Sequence, residues 1–338
     1  MYRYLFVVFV FLGCYINGRA QEKKFSFTRE KMASPFTILL YDKDSAHATH
    51  LANDCFSMVD SFVNIFSDYI ETSELSLLNA SAGSGKFLPV SPALFDIISI
   101  SQKACEQTKG AFDITMGPII RLWRKARKEK KFPENTAIIE KMKSVGFKKV
   151  EIDNTASSIR LLQPGMQLDL GGIAQGYIAQ KVLERLAQYN MKQALIDVSG
   201  DIATADPPPG KKGWIIGINL PESEKLQKQL LQISNISIST SGDLYQYIEH
   251  EGKKFSHIID PKTGYGITSQ KNVTVIAPDA TTADWLATAC SIMPVKKAKR
   301  LANRLHAEVL IAEMQNDKIV QSSTKKFSYF YFSNTRND

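Results

Sequence analysis

The sequence predicts an α+β fold in which packed helices cover a mixed β-sheet core. Of the 338 residues, 44% are hydrophobic and 22% are charged. This composition supports a sizeable core and excludes disorder and collagen-like repetition. Segments with the helical spacing of three and four residues are interspersed with strand-like segments. The two kinds do not alternate strictly, as they would in a parallel α/β protein, so the pattern favours the α+β class.

The first half of the chain is predicted to contain long helices separated by short extended segments. Apolar spacing, caps and turn residues give the following order: a strand at 36–41, a helix at 46–68 with Ser45 as its N-cap, a polar loop at 80–86, a helix from Pro92 to Lys109, and a basic helical stretch to about Lys143.

The second half is predicted to be richer in strands. The order is strands at 147–152, 158–162 and 167–170, a helix at 173–189, strands at 193–198, 213–219, 231–239, 244–249, 255–259 and 271–277, a helix at 279–292, and alternating helix and strand to 332. Residues 168–198 therefore form a predicted strand–helix–strand unit, and residues 250–253 join two strands as a hairpin.

The net charge of +8 does not indicate a nucleic-acid partner. Basic residues are scattered, apart from runs at 121–131 and 296–300. Runs of this kind are typical of solvated helix faces, whereas nucleic-acid binding requires a basic stripe with interleaved aromatic residues. We therefore predict no nucleic-acid partner.

Residues 1–20 have the features of a secretory signal peptide, which leaves 21–338 as a single domain. Arg3 precedes an apolar stretch that is too short for a membrane span. Cleavage before a lipid-bearing Cys14 and ordinary cleavage before Gln21 both remain open, and Cys14 is otherwise an apolar filler. We expect the folded part to lie in a bacterial periplasm, anchored to the inner membrane only if Cys14 carries a lipid.

The other cysteines are predicted to be small buried hydrophobic residues. Cys55, Cys105 and Cys290 are widely spaced, and each lies within a helical pattern. This spacing argues against a disulfide framework and against a zinc site.

Two segments that combine glycine with polar residues are candidates for phosphate and metal binding. In 168–177, paired glycines lead into a helix, whose N-terminal N–H groups suit a phosphate, although such glycines also serve packing alone. In 279–289, Asp284 and Thr288 are four residues apart and therefore share one helix face. Their oxygens suit Mg²⁺. The alternative is that Asp279 caps the helix and Asp284 is solvated.

Two further segments carry polar residues with more than one interpretation. Asp113, in the loop 110–113, either caps its own turn or contacts a ligand. His257, near the end of a predicted strand, is three residues from Asp260. The pair could form a general base with an orienting carboxylate, or a surface histidine beside a turn that begins at Asp260 and Pro261.

Taken in order, these segments resemble the ApbE family of periplasmic flavin transferases, which move FMN from FAD onto a protein. The matching segments are 32–36 (Met-Ala-Ser-Pro-Phe, close to the family's M-x-T-P-F), 89–91, 110–118, 169–177, 239–243, 257–264 and 275–289. The resemblance spans 32–289 with roughly constant spacing. It implies an ApbE-like architecture related to the T-fold.

The resemblance also implies roles for individual residues. FAD would be contacted by Met32, Ala111, Phe112, Asp113, Gln175, Thr240 and Ile259. Mg²⁺ would be held by Asp284, Thr288 and a main-chain oxygen near Gly172, and His257, assisted by Asp260, would take part in catalysis. Many family members carry Lys where this chain has Gln175, so one phosphate contact is expected to be weaker.

The implied reaction is Mg²⁺-dependent transfer of FMN from FAD to a Thr or Ser hydroxyl, with release of AMP. Its acceptors would be flavin-accepting subunits of membrane redox complexes of the Rnf or Nqr type, or FMN-binding domain proteins. Two other functions use the same site: an FAD pyrophosphatase that yields FMN and AMP, and a non-catalytic flavin-binding lipoprotein. The presence of Asp284, Thr288 and His257 favours the enzymes.

Overall fold

The computed structural model describes residues 22–222, 225–242, 247–315 and 318–333, without the side chains of 219–228. The predicted signal peptide, Cys14, Asp243 and the first residues of the strand expected at 244–249 lie outside the described residues.

Eight helices alternate irregularly with strands in this part of the chain. The helices are α1 (Ser45–Phe66), α2 (Glu74–Ala80), α3 (Pro92–Thr108), α4 (Gly117–Glu129), α5 (Asn135–Met142), α6 (Ala174–Gln188), α7 (Ala280–Ile292) and α8 (Val295–Arg304). Over the residues that the structure describes, none of these helices has the length and apolar character that crossing a membrane requires.

The described residues also form fifteen strands. They are β1 (Lys23–Lys31), β2 (Ser34–Asp42), β3 (Leu88–Pro89), β4 (Val150–Asp153), β5 (Ser158–Leu161), β6 (Ala194–Val198), β7 (Asp201–Thr204), β8 (Trp214–Glu222), β9 (Lys225–Ile233), β10 (Ser237–Gly242), β11 (Tyr247–His250), β12 (Lys253–Ser256), β13 (Lys271–Ala277), β14 (Glu308–Gln315) and β15 (Lys318–Ser323).

A central sheet organises the molecule. Its eight strands follow the order β1-β2-β6-β7-β10-β13-β14-β15, and every neighbouring pair is antiparallel. Tight turns join β1 to β2 and β6 to β7. The predicted α+β class is confirmed, and the antiparallel pairing refines the expected mixed sheet.

The two faces of the central sheet are covered differently. Helices α1, α6 and α7 bury one face in a large core that includes Ile38, Ile196, Val275 and Leu286, and α3 packs on α1 and α7. The hairpin β8–β9 covers much of the other face, where Trp214 and other apolar side chains form a second cluster. A third cluster around Trp123 lies between α4, α5 and the segment after β12. The functional candidates lie mainly on the helix-covered face.

The prediction of a strand at 167–170 was wrong, so residues 168–198 do not form a strand–helix–strand unit. Only Gln167 makes an isolated bridge, to Met116. The backbone groups of Leu168 bond instead to the side-chain amide of Asn79, at 2.7 Å from the N–H and 3.0 Å to the carbonyl. Because an amide satisfies both groups, this segment does not need a neighbouring strand.

Other differences come from short elements and turns. Strands β1 and β7 and helix α2 were not predicted, and the N-cap of α1 is Asp44 rather than Ser45. The strand expected at 231–239 is interrupted by a turn in which Asn235 has a φ of 54°. The hairpin at 250–253 is confirmed by the pairing of β11 with β12. Cys55 and Cys290 are buried and Cys105 is partly buried, all as free thiols.

Candidate functional site

An antiparallel crossing of α6 and α7 brings the predicted metal residues together. The N–H of Gly176 donates a 2.9 Å hydrogen bond to Oδ2 of Asp284. In the turn just before α6, a Cβ atom built on Gly172 would lie 3.2 Å from Oγ1 of Thr288, which is one turn after Asp284 in α7. Gly172 and Gly176 thus face Thr288 and Asp284 respectively, and the predicted set occupies one place in the fold.

Helix α7 begins with a cap that leaves Asp284 available for another role. The side chain of Asp279 accepts a 2.8 Å hydrogen bond from the N–H of Thr282, which confirms capping by Asp279. Asp284 lies in the second turn of the helix and is only 6% exposed. The alternative of a solvated Asp284 was therefore wrong.

Asp284 shares its buried environment with a second carboxylate, Asp201. Burial raises the pKa of Asp284 well above its usual value, and the charge of Asp201 raises it further, while the N–H of Gly176 opposes both. Asp201 is 9% exposed and accepts a short hydrogen bond from the hydroxyl of Ser239. Burial raises the pKa of Asp201 to about 6. Within the described ranges, no basic side chain pairs with either acid.

These features fit a divalent cation. Two buried carboxylates without a basic partner are costly, and a bound cation would offset their charge. Mg²⁺ prefers oxygen ligands and keeps several from water or phosphate, so Asp284, the Thr288 hydroxyl and a main-chain oxygen near Gly172 form a suitable partial set. The described residues contain no cluster of three or more His, Cys, Asp or Glu side chains with metal-binding geometry.

Asp201 and Ser239 are residues that sequence analysis did not single out for this site. Asp201 begins β7, directly after the turn at Ser199 and Gly200, and Ser239 lies in the central strand β10. An acid that starts an otherwise apolar strand was the available signal. It could not be connected to Asp284 without the sheet order that places β7 and β10 under α7.

A buried ion pair holds the glycine turn that leads into α6. Asp169 is 6% exposed, and its carboxylate accepts hydrogen bonds from Nη2 of Arg124 at 2.7 Å and from the N–H of Gly171 at 2.9 Å. Burial raises the pKa of Asp169, and the guanidinium of Arg124 opposes this shift. Arg124 also bonds to Asp68. The turn at the start of α6 is therefore fixed by α4.

The turn between β1 and β2 lies beside the first residues of α6. Met32 and Ala33 have φ values of 53° and 56°, as the two central residues of a type I′ hairpin turn require. The amide Nε2 of Gln175 donates a 3.4 Å hydrogen bond to the hydroxyl of Ser34. The structure thus brings two predicted FAD contacts, Met32 and Gln175, to the same end of α6.

The loop after α3 supplies an aromatic wall. Ala111 and Phe112 are buried, and a Cβ atom built on Gly172 would lie 3.4 Å from the ring of Phe112. Oδ1 of Asp113 accepts hydrogen bonds from the N–H and the hydroxyl of Thr115, at 2.8 and 2.7 Å. Burial raises the pKa of Asp113, and these hydrogen bonds oppose the shift. Asp113 therefore caps its own turn, and its contact with FAD stays a prediction.

The segment after β12 carries His257, Ile259 and Asp260. The strand expected at 255–259 ends at Ser256, so the half-buried His257 lies in a bend. Oδ1 of Asp260 accepts a 2.9 Å hydrogen bond from the N–H of Lys262, which confirms the turn at this acid. Ile259 is 7% exposed in the third apolar cluster. The catalytic roles of His257 and Asp260 and the FAD contact of Ile259 stay predictions.

Thr240 lies on the sheet face opposite to that of Ser239, because neighbouring residues of a strand alternate. Its hydroxyl is 3.0 Å from the hydroxyl of Thr274 on β13. Ser239 is the residue of this strand that bonds to Asp201 below α7. No hydrogen bond of the described residues joins Thr240 to Asp284, and its contact with FAD stays a prediction.

Comparison with known proteins gives consistent matches along the chain. The model of the ApbE family matches residues 32–311. The FAD:protein FMN transferase of Klebsiella pneumoniae (strain 342) is 29% identical over 306 residues, which cover 90% of this chain and 93% of that protein. The protein of the same name from Treponema pallidum (strain Nichols) is 30% identical over 299 residues, with coverage of 83% and 82%.

A solved structure is similar over almost the same length. The apo form of the flavinyl transferase ApbE of Pseudomonas stutzeri has a TM-score of 0.82 at 25% identity, and the match covers 93% of this chain and 98% of that one. The family match also extends beyond residue 289 into β14, a strand of the central sheet that carried none of the sequence motifs.

Proposed function

This chain belongs to the ApbE family of flavin transferases, and we propose that it moves FMN from FAD to a Thr or Ser hydroxyl of an acceptor protein in a Mg²⁺-dependent reaction that releases AMP. One observation carries the metal dependence: the carboxylate of Asp284, which is buried in α7 one turn before Thr288 and interacts electrostatically with the buried Asp201 of β7. Its excess negative charge supports a divalent cation between the protein and a diphosphate.

The proposed reaction is a phosphoryl transfer. The acceptor hydroxyl oxygen forms a bond to the phosphorus of the FMN half of FAD, the bond from that phosphorus to the oxygen of the AMP phosphate breaks, and AMP leaves. The hydroxyl proton passes to a base. Bound Mg²⁺ would supply Lewis-acid stabilisation of the diphosphate and of the leaving phosphate.

Individual residues of the chain would hold the cation, orient the phosphate and accept the proton. Asp284 and Thr288 would hold the cation, and the N–H of Gly176 fixes the orientation of the Asp284 carboxylate. The N–H groups of Ala174 and Gly176 already bond to the carbonyl of Leu170 and to Asp284, so the start of α6 would favour a phosphate through the positive end of the helix dipole. His257 would accept the proton, with Asp260 as its orienting carboxylate, and general-base catalysis of this kind contributes roughly a hundredfold or more.

The test uses the purified chain with FAD, Mg²⁺ and candidate acceptor proteins, with mass spectrometry to detect an added FMN. We expect Asp284→Ala to abolish transfer and to remove the stabilisation that Mg²⁺ gives against thermal unfolding. Asp279→Ala is the matched control because it also removes an acid from this helix, but an acid that only caps the helix N-terminus. Loss of the cap should lower the free energy of unfolding by about 1 kcal/mol. Full transfer by Asp284→Ala would overturn the metal assignment.

Release of AMP without an acceptor distinguishes transfer from hydrolysis. If water were the natural acceptor, AMP would appear at the same rate with and without acceptor protein, and the chain would be an FAD pyrophosphatase. Stable binding of FAD without any AMP would instead support a flavin-binding protein. Transfer predicts that AMP and labelled acceptor appear in equal amounts.

We also propose that the enzyme acts in the periplasm on subunits of Rnf- or Nqr-type redox complexes or on FMN-binding domain proteins. The signal-like sequence of residues 1–20 supports the location. Fractionation of cells that express the wild-type chain or Cys14→Ser tests both the location and the lipid. Equal release of the two proteins from membranes by salt would argue against a lipid at Cys14.

A further inference from the structure

A basic groove lies next to the loop that carries Ala111. It has a volume of about 470 Å³ and runs between the end of α3, the loop after β12 and helix α8. Its charged lining comprises Lys109, Lys262, Lys297, Arg300, Arg304 and Asp260. The groove is therefore lined by five cations and one carboxylate, that of Asp260. Oδ1 of Asp260 already accepts a hydrogen bond from the main-chain N–H of Lys262.

The five cations lack the acidic partners that other basic residues of this protein have. Arg124, Arg160 and Arg185 each pair with a carboxylate. In the described ranges, no carboxylate lies within ion-pair distance of the five groove cations, and all five are exposed. Arg304 donates only to the main-chain oxygen of Gln107, at 3.3 Å. The groove thus presents uncompensated positive charge to whatever enters it.

Helix α8 arranges its part of this charge on one side. Ala298, Leu301 and Ala302 are buried against the fold. Lys297, Arg300 and Arg304 follow at spacings of three and four, which aligns them along the helix. Lys296 and Lys299 belong to the same helix but do not line the groove. The cation stripe that faces the groove is therefore separable by mutation from the rest of this basic helix.

The groove is lined by two residues of the predicted site, Ala111 and Asp260. Ala111 lines it and is followed directly by Phe112, whose ring lies against Gly172. On the other side, Asp260 lines it three residues after His257. A polypeptide lying in the groove would thus have one part beside the residues proposed to perform the transfer.

We propose that this groove docks an acidic segment of the acceptor protein and so positions the acceptor hydroxyl for transfer. The inference rests on the proposed transferase function and adds the chemistry by which the partner is recognised. Opposite charge increases the rate of encounter and fixes the orientation of the partner, which is the effect expected of exposed cations at the rim of an interface.

Two other occupants fit the structure less well. The first is the FAD diphosphate. Its proposed place is the start of α6 beside Asp284, where the residues suit Mg²⁺, rather than among the exposed basic residues of α8. An anionic membrane would contact the exposed Lys296 of α8 as readily as Lys297, Arg300 and Arg304. The groove cations come from three separate elements, the end of α3, the loop after β12 and α8, and this arrangement around a groove favours a polypeptide.

The test measures binding of a fluorescein-labelled peptide of alternating Asp and Thr to the full chain with FAD and Mg²⁺ present, by fluorescence anisotropy. A peptide with Asn in place of Asp is the control ligand. We expect Lys297→Glu with Arg300→Glu to weaken binding of the acidic peptide by roughly tenfold or more, and salt to weaken wild-type binding. Lys296→Glu with Lys299→Glu makes the same charge change on the same helix and should alter binding less than about twofold.

Each other outcome overturns the inference. Equal binding of the two peptides by the wild-type chain, or equal loss in the two double variants, would exclude docking in the groove. Loss of FAD affinity in Lys297→Glu with Arg300→Glu would make the groove part of the nucleotide site. Binding to phosphatidylglycerol vesicles but not to the acidic peptide would make it a lipid surface.

The same samples separate this inference from the proposed function. If docking is correct, the groove variant raises KM for an acceptor protein in FMN transfer and leaves kcat and FAD affinity unchanged. If no acceptor is ever labelled while the groove selectively binds the acidic peptide, the transferase proposal fails and the groove remains an acidic-segment site. If labelling proceeds with an unchanged KM, docking fails and the transferase function stands.

Discussion

The main-chain N–H of Gly176 donates a 2.9 Å hydrogen bond to the buried carboxylate of Asp284, and this contact requires that position 176 have no side chain. A Cβ atom there would lie 2.2 Å from the carbonyl oxygen of Ala280 and 2.6 Å from Cβ of Asp284. Both distances are far below van der Waals contact, and the nearer atom belongs to the backbone of α7. The close approach of two helices therefore sets the geometry of the candidate metal site.

Gly176→Ala should separate α6 from α7 and weaken both folding and metal binding. Overpacking of a tight contact costs about 1–3 kcal/mol, and the loss of the N–H from Asp284 would leave this carboxylate less well oriented. Urea unfolding measures the first effect, and titration with Mg²⁺ in the presence of FAD measures the second.

Ala187→Gly provides the control for this variant. Ala187 is an exposed residue near the end of α6, so the change lowers helix stability by at most about 1 kcal/mol without touching α7. It should leave the affinity for Mg²⁺ unchanged. Equal metal affinities in Gly176→Ala and Ala187→Gly would show that the helix crossing does not control the site.

The metal-free protein should lose stability as the pH rises from about 4 through about 6. The pKa of Asp201 is raised from 3.8 to about 6 in the folded protein, chiefly by burial, and that of Asp284 is raised in the same direction. The folded state therefore binds more protons than the unfolded state in this range, and stability falls with rising pH. For Asp201 the loss is on the order of 3 kcal/mol.

Mg²⁺ should reverse this loss, because it binds ionised carboxylates and its affinity rises as they deprotonate. Urea unfolding with EDTA or with Mg²⁺ at several pH values measures both effects. Asp201→Asn should flatten the slope of the metal-free protein, whereas the exposed acid replaced in Glu71→Gln should not. A metal-free stability that stays constant between about pH 4 and about pH 7 would contradict the buried carboxylate pair.

From the sequence alone, site residues that share one helix could be grouped, whereas residues brought together by the order of the sheet strands could not. Asp284 and Thr288 could be paired because four residues make about one helical turn. Asp201 could not be added, since its proximity to Asp284 depends on the order in which β7 and β10 pass under α7. The sequence pattern also wrongly predicted a strand at 167–170. The side-chain amide of Asn79 bonds to the main chain of this segment in the way that a neighbouring strand would.

Arg124→Met should destabilise the protein by about 3 kcal/mol or more, because it leaves the buried Asp169 without its cation. The free carboxylate would also hold the N–H of Gly171 less firmly, so FAD affinity should fall. Urea unfolding and fluorescence titration with FAD check the two effects. Arg121→Met is the matched control in the same helix, because Arg121 is more exposed than Arg124 and its Nε makes only a long contact of 3.9 Å with Oδ2 of Asp68. This variant should lower the free energy of unfolding by less than about 1 kcal/mol.

Gln175→Lys should increase the affinity for FAD. Gln175 lies in the first turn of α6, half-buried, and its amide donates only a long hydrogen bond to Ser34. A lysine ammonium at this position would add a positive charge where the proposed diphosphate meets the helix N-terminus, and a charge-assisted contact of this kind contributes about 1.5–3 kcal/mol, or roughly tenfold or more in affinity. The gain should shrink at high salt. Gln175→Met, which keeps the length of the side chain but carries no charge, should not tighten binding. Equal FAD affinities for the Lys and Met variants at low salt would mean that the diphosphate does not lie at the start of α6, and the proposed placement of FAD would have to be abandoned.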